Sequence, residues 1–126
     1  MVRKLKVFFD GGCRPNPGPM EAAVVIRGLP QFFSELGIGS NTDSEWHALF
    51  CAIAVARDLG LEAAEFVGDS LEVTRRATVA LRTGHADTKH AATLLSLLSQ
   101  YRPSKIRWIK REQNLAGIAL ERRRST

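Results

Sequence analysis

The stretch DGGCRPNPGP occupies residues 10–19 and directly follows the apolar segment VFF at residues 7–9. The apolar segment predicts a first strand over residues 4–10. Beyond it, three prolines fix the backbone and remove amide donors, while Gly18 permits a tight reversal. We interpret residues 13–19 as a rigid loop between two strands, and we expect Asp10 at the end of the first strand.

Working outward, the pattern predicts strands over residues 22–27 and 31–38, with a turn between them. Helical spacing follows over residues 44–59, with Thr42, Asp43 or Ser44 as its cap. A strand is predicted at residues 64–68 and a helix from Asp69-Ser70 to about residue 81. The last predicted elements are a helix over residues 87–101, a strand over 106–109 and a helix over 114–123.

This order predicts a single α/β domain spanning residues 1–126. We expect a five-stranded mixed sheet flanked by helices. Its first three strands form an antiparallel meander, and the fourth and fifth strands run parallel to the first through right-handed helical crossovers. The two-sided apolar end of the first strand suits a central position in the sheet.

The composition is that of a soluble globular protein, with 44% hydrophobic and 25% charged residues. A net charge of +5 favours a polyanionic partner such as nucleic acid. No amino-terminal apolar run is long enough for a secretion signal or a membrane span. The two cysteines are too few for a disulfide framework. We therefore expect a cytoplasmic protein without membrane association.

Three acidic residues, Asp10, Glu45 and Asp69, stand at the ends of predicted elements. If the first and fourth strands are parallel neighbours, Asp10 and Asp69 lie at the same edge of the sheet, and Glu45 approaches from the helix. Carboxylates brought together repel one another unless a cation neutralises them, and Mg²⁺ prefers such oxygen ligands. The three histidines show no zinc-type spacing with the cysteines. Taken singly, each acid also fits a role in a turn, at a helix dipole or in a helix cap.

The segment at residues 10–19 resembles the opening motif of type 1 ribonucleases H, an Asp-Gly-Gly strand end followed by Asn-Pro-Gly-Pro. Residues 41–49, NTDSEWHAL, are similar to the family's Asn-rich turn and Glu-x-x-Ala-Leu helix. The segments GDS at residues 68–70 and REQN at residues 111–114 also match, in family order. The chain is thus identified by resemblance as a member of this family, with the ribonuclease H-like fold, over nearly its whole length.

The resemblance implies an endonuclease that hydrolyses the RNA strand of RNA–DNA hybrids and leaves 5′-phosphate and 3′-hydroxyl ends. It implies that Asp10, Glu45 and Asp69 ligate two Mg²⁺ ions, or Mn²⁺ as a substitute, on either side of the scissile phosphate. One ion would activate the attacking water and the other would stabilise the leaving 3′ oxygen. The protein is expected to act as a monomer. The residues expected to contact the hybrid are Gly11, Asn16, Asn41, Ser70 and Arg111.

The last predicted helix departs from the family pattern, because a fourth acid normally stands in an Ala-Asp-x-Leu-Ala segment. Here residues 115–120 read LAGIAL. Either Gly117 takes the place of this acid and water fills the gap, or Asn114 supplies a carbonyl oxygen as a weaker metal ligand. Asn114 fits a helix cap equally well. The loss predicts weaker binding of the second ion and lower turnover, so the alternative function is a catalytically weakened nucleic-acid-binding domain of the same fold.

A basic loop rich in Lys and Trp, common in the family, is also absent between residues 70 and 101. Basic residues elsewhere could compensate through phosphate contacts, or they could form an ordinary solvated face. They are Arg75, Arg76, Arg82, Lys105, Arg107, Lys110, Arg111 and the run at residues 122–124. Trp46 and Trp108 could stack on nucleic acid, but we predict that both pack in the core because they lie in apolar-patterned elements.

Overall fold

A mixed β-sheet forms the centre of the computed structural model, which describes residues 5–125. Lys4, the predicted start of the first strand, lies outside the described residues. The strands are β1 (Lys6–Cys13), β2 (Gly18–Ile26), β3 (Leu29–Phe33), β4 (Ile38–Gly39), β5 (Glu65–Gly68) and β6 (Lys105–Trp108). Their order in the sheet is β3-β2-β1-β5-β6, and β4 pairs with β2 beside this path. Neighbouring strands from β1 to β3 are antiparallel, whereas β5 is parallel to β1 and β6 is parallel to β5. The predicted mixed sheet with a central first strand is confirmed.

Helices cover both faces of this sheet. They are α1 (Asn41–Asp58), α2 (Leu71–Thr83), α3 (Lys89–Leu97) and α4 (Leu115–Arg124), and a short 3₁₀ helix (Arg111–Gln113) precedes α4. The larger core joins Val7 and Phe9 of β1 to α1, α2 and α3, whereas a smaller core joins Ala23 and Val25 of β2 to α4. Because side chains alternate along a strand, Asp10 points to the face opposite Phe9, which is the α4 face. Within residues 5–125, no helix has the length and apolar character needed to cross a membrane.

The first strand does not end at Asp10 as predicted. Its pairing with β2 continues through Gly11 and Gly12 to the pair Cys13↔Met20, so the predicted loop shrinks to residues 14–17. The parallel neighbour ends earlier, since the last pair between β1 and β5 is Phe8↔Val67. Asp10 is therefore inside β1, where it still pairs with β2, but it is just beyond the last residue that pairs with β5. This is the edge of the sheet at which the sequence predicted it.

The predicted third strand over residues 31–38 is two strands, β3 and β4. Between them, Glu35 has a φ of 58° and Gly37 a φ of 100°, a left-handed conformation that interrupts an extended chain. The predicted caps of α1 are also wrong. The Oγ of Ser40 accepts from the amide of Asp43 at 3.1 Å, and the Asp43 carboxylate accepts from the amide of Ser40 at 2.9 Å, which is a capping box.

The two tryptophans differ in environment. Trp46 is buried in the core as predicted, whereas Trp108 is 43% exposed to solvent. The prediction for Trp108 is wrong because β6 is an edge strand. Its indole N–H donates to the backbone carbonyl of Asp69 at 3.1 Å, so the exposed ring lies beside the chain at the end of β5.

Candidate active site

The three acidic residues meet at the edge of the sheet where β5 ends. One oxygen each from Asp10, Glu45 and Asp69 can be chosen such that all three lie within 4.8 Å of one another. Asp69 directly follows β5, Asp10 comes from β1, and Glu45 comes from the amino-terminal part of α1. The structure thus brings together residues that lie far apart in the sequence.

Gly11 places Glu45 by letting the backbones of β1 and α1 approach closely. The amide of Gly11 donates to Oε1 of Glu45 at 2.8 Å. A Cβ at Gly11 would lie 2.1 Å from the carbonyl oxygen of Ser44, so no side chain fits there. The other carboxylate oxygen, Oε2 of Glu45, is buried without a hydrogen-bond partner among the described residues. Burying such an oxygen is costly, and a cation among the three carboxylates would satisfy it.

Burial makes two of these carboxylates, Asp10 and Glu45, resist ionisation. It raises the pKa of Asp10 to about 6, with a further increase from the charge of Asp69. Burial, followed by the charge of Asp10, raises the pKa of Glu45 well above its usual value. The positive charges of Arg111 and Arg124 act in the opposite direction on the pKa of Asp10. An oxygen-only cluster that holds protons this strongly fits a hard divalent cation.

We predict that the metal-free protein loses stability as the pH rises from about 4 to above 6. The pKa of Asp10 in the folded state is about 6, against an ordinary value of 3.8. The contribution of Asp10 is therefore complete below pH 4 and is lost as the pH rises through 6, on the order of 2–3 kcal/mol. The measurement is the thermal midpoint in EDTA at pH 5 and pH 7.5. The control variant Asp10→Asn should show a smaller decrease, and equal decreases in both proteins would contradict the assignment.

Asn114 holds Asp69 in place from the start of α4. Its Nδ2 donates to the carbonyl of Phe9 at 3.0 Å and to Oδ2 of Asp69 at 3.1 Å. Its Oδ1 accepts from the amide of Ala116 at 3.1 Å, and the predicted helix cap is thereby confirmed. The start of the helix thus engages this oxygen, and its role as a metal ligand stays a prediction.

Gly117 faces the acidic cluster directly. A Cβ at this position would lie 3.4 Å from Oδ2 of Asp10 and 3.6 Å from Oδ2 of Asp69. The place predicted for a missing fourth acid is therefore beside Asp10 and Asp69, and it carries no side chain.

Asn16 and Asn41 lie together where the β1–β2 loop meets α1. The amide of Asn41 donates to Oδ1 of Asn16 at 3.1 Å, and Oδ1 of Asn41 accepts from the amide of Cys13 at 3.4 Å. Ser70 caps α2, since its Oγ accepts from the amide of Val73 at 3.2 Å. These contacts fix the orientation of the predicted substrate-binding residues.

A cavity of about 320 Å³ opens over the three carboxylates. Gly11, Asn41, Ser70 and Arg111 line it. Asn16 does not line the cavity, and it contacts the lining residue Asn41 through the hydrogen bond to its Oδ1.

Arg14 and Glu121 also line the cavity and were not among the predicted site residues, and Arg124 was anticipated only as part of the basic run at residues 122–124. Glu121 and Arg124 lie four and seven residues after Gly117, on the same face of α4. This helical spacing is the feature of the sequence that could have placed Glu121 and Arg124 at the site.

Comparison with known proteins gives consistent matches. A family model described as "Reverse transcriptase-like" matches residues 8–122. Ribonuclease HI of Halobacterium salinarum is 32% identical over 91 residues, which cover 68% of this chain and 46% of that protein. The chain thus spans about half the length of this curated relative.

Solved structures share the fold. The crystal structure of RNase H1 from Halobacterium salinarum superposes with a TM-score of 0.72 at 26% identity, over 95% of this chain and 99% of that one. LC11-RNase H1 in complex with an RNA/DNA hybrid has a TM-score of 0.72 at 21% identity, over 95% and 99% of the two chains. An N-terminal RNase H domain from Mycobacterium tuberculosis has a TM-score of 0.70 at 23% identity, over 99% and 100%. The last two similarities establish the fold alone.

Proposed function

This chain belongs to the ribonuclease H family, and on that premise we propose that it is an endonuclease that hydrolyses the RNA strand of RNA–DNA hybrids. The observation that carries the proposal is the convergence of Asp10, Glu45 and Asp69 within 4.8 Å. The buried, unpartnered oxygen of Glu45 supports it, because that oxygen lacks a positive partner among the described residues. We further propose that the protein acts as a cytoplasmic monomer.

The proposed cofactor is Mg²⁺, as two ions with substrate, and Mn²⁺ is a possible substitute. Bound there, such ions would supply an activated water and stabilise the leaving 3′ oxygen, giving 5′-phosphate and 3′-hydroxyl ends. Asp10 and Asp69 would hold them from the sheet edge and Glu45 from α1. The hydrogen bonds from Gly11 to Glu45 and from Asn114 to Asp69 fix two of these carboxylates in advance.

Recognition of the RNA strand is proposed for the polar residues of the cavity and its rim. The side-chain Nδ2 groups of Asn16 and Asn41, whose oxygens are engaged within the protein, can donate to ribose 2′-hydroxyls, the groups that distinguish RNA from DNA. Arg111 in the cavity wall supplies a positive charge for the backbone. In support, LC11-RNase H1, which has the same fold, has been solved with an RNA/DNA hybrid.

The test is strand-specific cleavage. An RNA–DNA hybrid, double-stranded RNA, double-stranded DNA and single-stranded RNA of one sequence are each labelled and incubated with the protein across a Mg²⁺ and Mn²⁺ titration. We expect cleavage of the RNA strand of the hybrid only. Because Gly117 leaves the place of a fourth acid empty, the second candidate is a weakened binding domain. Hybrid binding without cleavage at any metal concentration would favour that reading, whereas cleavage of DNA would contradict both.

Gly117→Asp is predicted to increase activity at low Mg²⁺. An aspartate at this position adds a fourth carboxylate about 3.4 Å from Asp10 at its Cβ, and an added negative ligand strengthens the binding of a hard cation. We expect the Mg²⁺ concentration at half-maximal cleavage to fall roughly tenfold, as for a change in a metal's supporting shell. Gly117→Asn is the matched control, with similar volume but no charge. An aspartate variant that behaves like the asparagine variant would contradict the fourth-ligand interpretation.

A further inference from the structure

Two arginines converge on one carboxylate at the wall of the catalytic cavity. Oε1 of Glu121 lies 3.1 Å from Nη2 of Arg14 and 3.6 Å from Nη1 of Arg124. Arg14 comes from the loop between β1 and β2, and Arg124 comes from the last turn of α4. Two guanidinium groups directed at one oxygen form an anion-binding arrangement, which the protein's own carboxylate fills.

Arg124 is held rigidly in this arrangement. Its Nε donates to Oε1 of Glu21 on β2, and its side chain is 17% exposed. Its guanidinium lies against Gly12, where a Cβ would be 2.6 Å from Nη2. This Nη2 is buried and has no hydrogen-bond partner among the described residues. Arg124 is thus an anchored positive charge in the cavity wall.

The contact between Arg14 and Glu121 is open to solvent, in contrast to the Arg124 anchor. The two side chains are 64% and 51% exposed. Exposed ion pairs contribute little to stability, so another anion can replace the Glu121 carboxylate easily. A purely structural role in fastening α4 would not require the pair to lie in the cavity wall, where all three residues are found.

The arrangement is also close to the carboxylates. Gly12 lies two residues after Asp10 on the same face of β1, which places the Arg124 guanidinium roughly 7 Å along the strand. A nucleic acid strand carries a phosphate at every nucleotide. When one phosphate lies at the carboxylates, a neighbouring one on the same strand can therefore reach the two arginines.

We propose that Arg14 and Arg124 form a phosphate subsite beside the catalytic carboxylates, that Glu121 occupies it in the free protein, and that a backbone phosphate of the bound hybrid displaces Glu121. This inference rests on the proposed function, because it takes the hybrid as the ligand. Guanidinium groups match phosphate oxygens in geometry as well as charge. Glu121 is then an internal competitor that lowers affinity for the substrate.

The test is hybrid binding in the Asp10→Asn background with Mg²⁺, measured by fluorescence anisotropy of a labelled RNA–DNA duplex over a salt series. Glu121→Gln should tighten binding about two- to fivefold, as expected from the loss of one exposed ion pair. Arg14→Gln should weaken binding and reduce the slope of log K against log salt by about one. Glu62→Gln is the control, since it removes the same charge from an exposed site before β5, at the end of that strand opposite Asp69.

The double variant with Glu121→Gln and Arg14→Gln isolates the interaction. We expect Glu121→Gln to have little effect once Arg14 is neutral. If Glu121→Gln increases the affinity for hybrid by the same factor when Arg14 is replaced, or if Glu62→Gln increases it equally, the effect is one of net charge alone. Either result would overturn the subsite. If the parent protein binds no hybrid at all, the proposed function fails. If the parent binds hybrid but the variants do not behave as described, only the subsite fails, so the two results are distinguishable. Thermal midpoints of all variants verify that they are folded.

Discussion

Asp10→Asn should abolish cleavage of the RNA strand while the protein stays folded. Asp10 contributes one of the three clustered carboxylate oxygens, and an amide cannot supply its negative charge to a divalent ion. The loss should exceed the roughly 10- to 100-fold decrease that follows the loss of a residue merely supporting a metal ligand. The measurement is the initial rate of hybrid cleavage at saturating Mg²⁺.

The same substitution should raise the stability of the metal-free protein at neutral pH. Asp10 is buried, and both burial and the charge of Asp69 oppose its ionisation. A neutral amide of the same shape relieves this repulsion. Asp58→Asn is the control, because Asp58 is exposed and, among the described residues, forms an ion pair only with its neighbour Arg57. A folded Asp10→Asn protein that cleaves at the wild-type rate would remove Asp10 from the reaction.

Gly11→Ala should destabilise the protein severely. The added Cβ would lie 2.1 Å from the carbonyl oxygen of Ser44, and 2.5 Å from its carbonyl carbon. Backbone atoms at the start of α1 cannot rotate away as a side chain can, so β1 and α1 must separate. Overpacking of this kind costs about 3 kcal/mol or more. Urea unfolding measures the change in the free energy of unfolding.

Gly12→Ala is the control for this prediction. Its added Cβ would meet the end of the Arg124 side chain, at 2.6 Å from Nη2, and the end of a side chain, even one anchored at its Nε, gives way more readily than backbone atoms. We expect a clearly smaller loss of stability than for Gly11→Ala. Equal losses in the two variants would mean that the contact between β1 and α1 does not require a glycine.

Much of the fold followed from local patterns because β1, β5 and α1 are strongly apolar and end at recognisable residues. The meeting of Asp10 and Asp69 followed from the parallel pairing of β1 with β5. Other features depend on contacts distant in sequence. The continuation of β1 past Gly11 depends on its pairing with β2. The alternation of apolar and polar residues in β6 predicts a strand, but it cannot reveal that this strand, which carries Trp108, is at the edge of the sheet.

The site was predictable where the family motifs name residues and unpredictable where tertiary contacts orient them. The hydrogen bond from Nδ2 of Asn114 to Phe9 and the engagement of its Oδ1 by the start of α4 both depend on the position of α4 against β1. Arg124 looked like part of a basic tail. Its contact with Glu21 depends on how α4 crosses β2, which neither segment specifies alone.

Whether the three carboxylates bind a divalent cation is tested most directly by calorimetric titration of Mn²⁺ into the wild-type protein and the Asp10→Asn variant at pH 7.5. We predict a saturable binding isotherm for the wild-type protein and much weaker binding, or none, for the variant. Identical isotherms for the two proteins, or no binding to either, would contradict a metal site built from Asp10, Glu45 and Asp69.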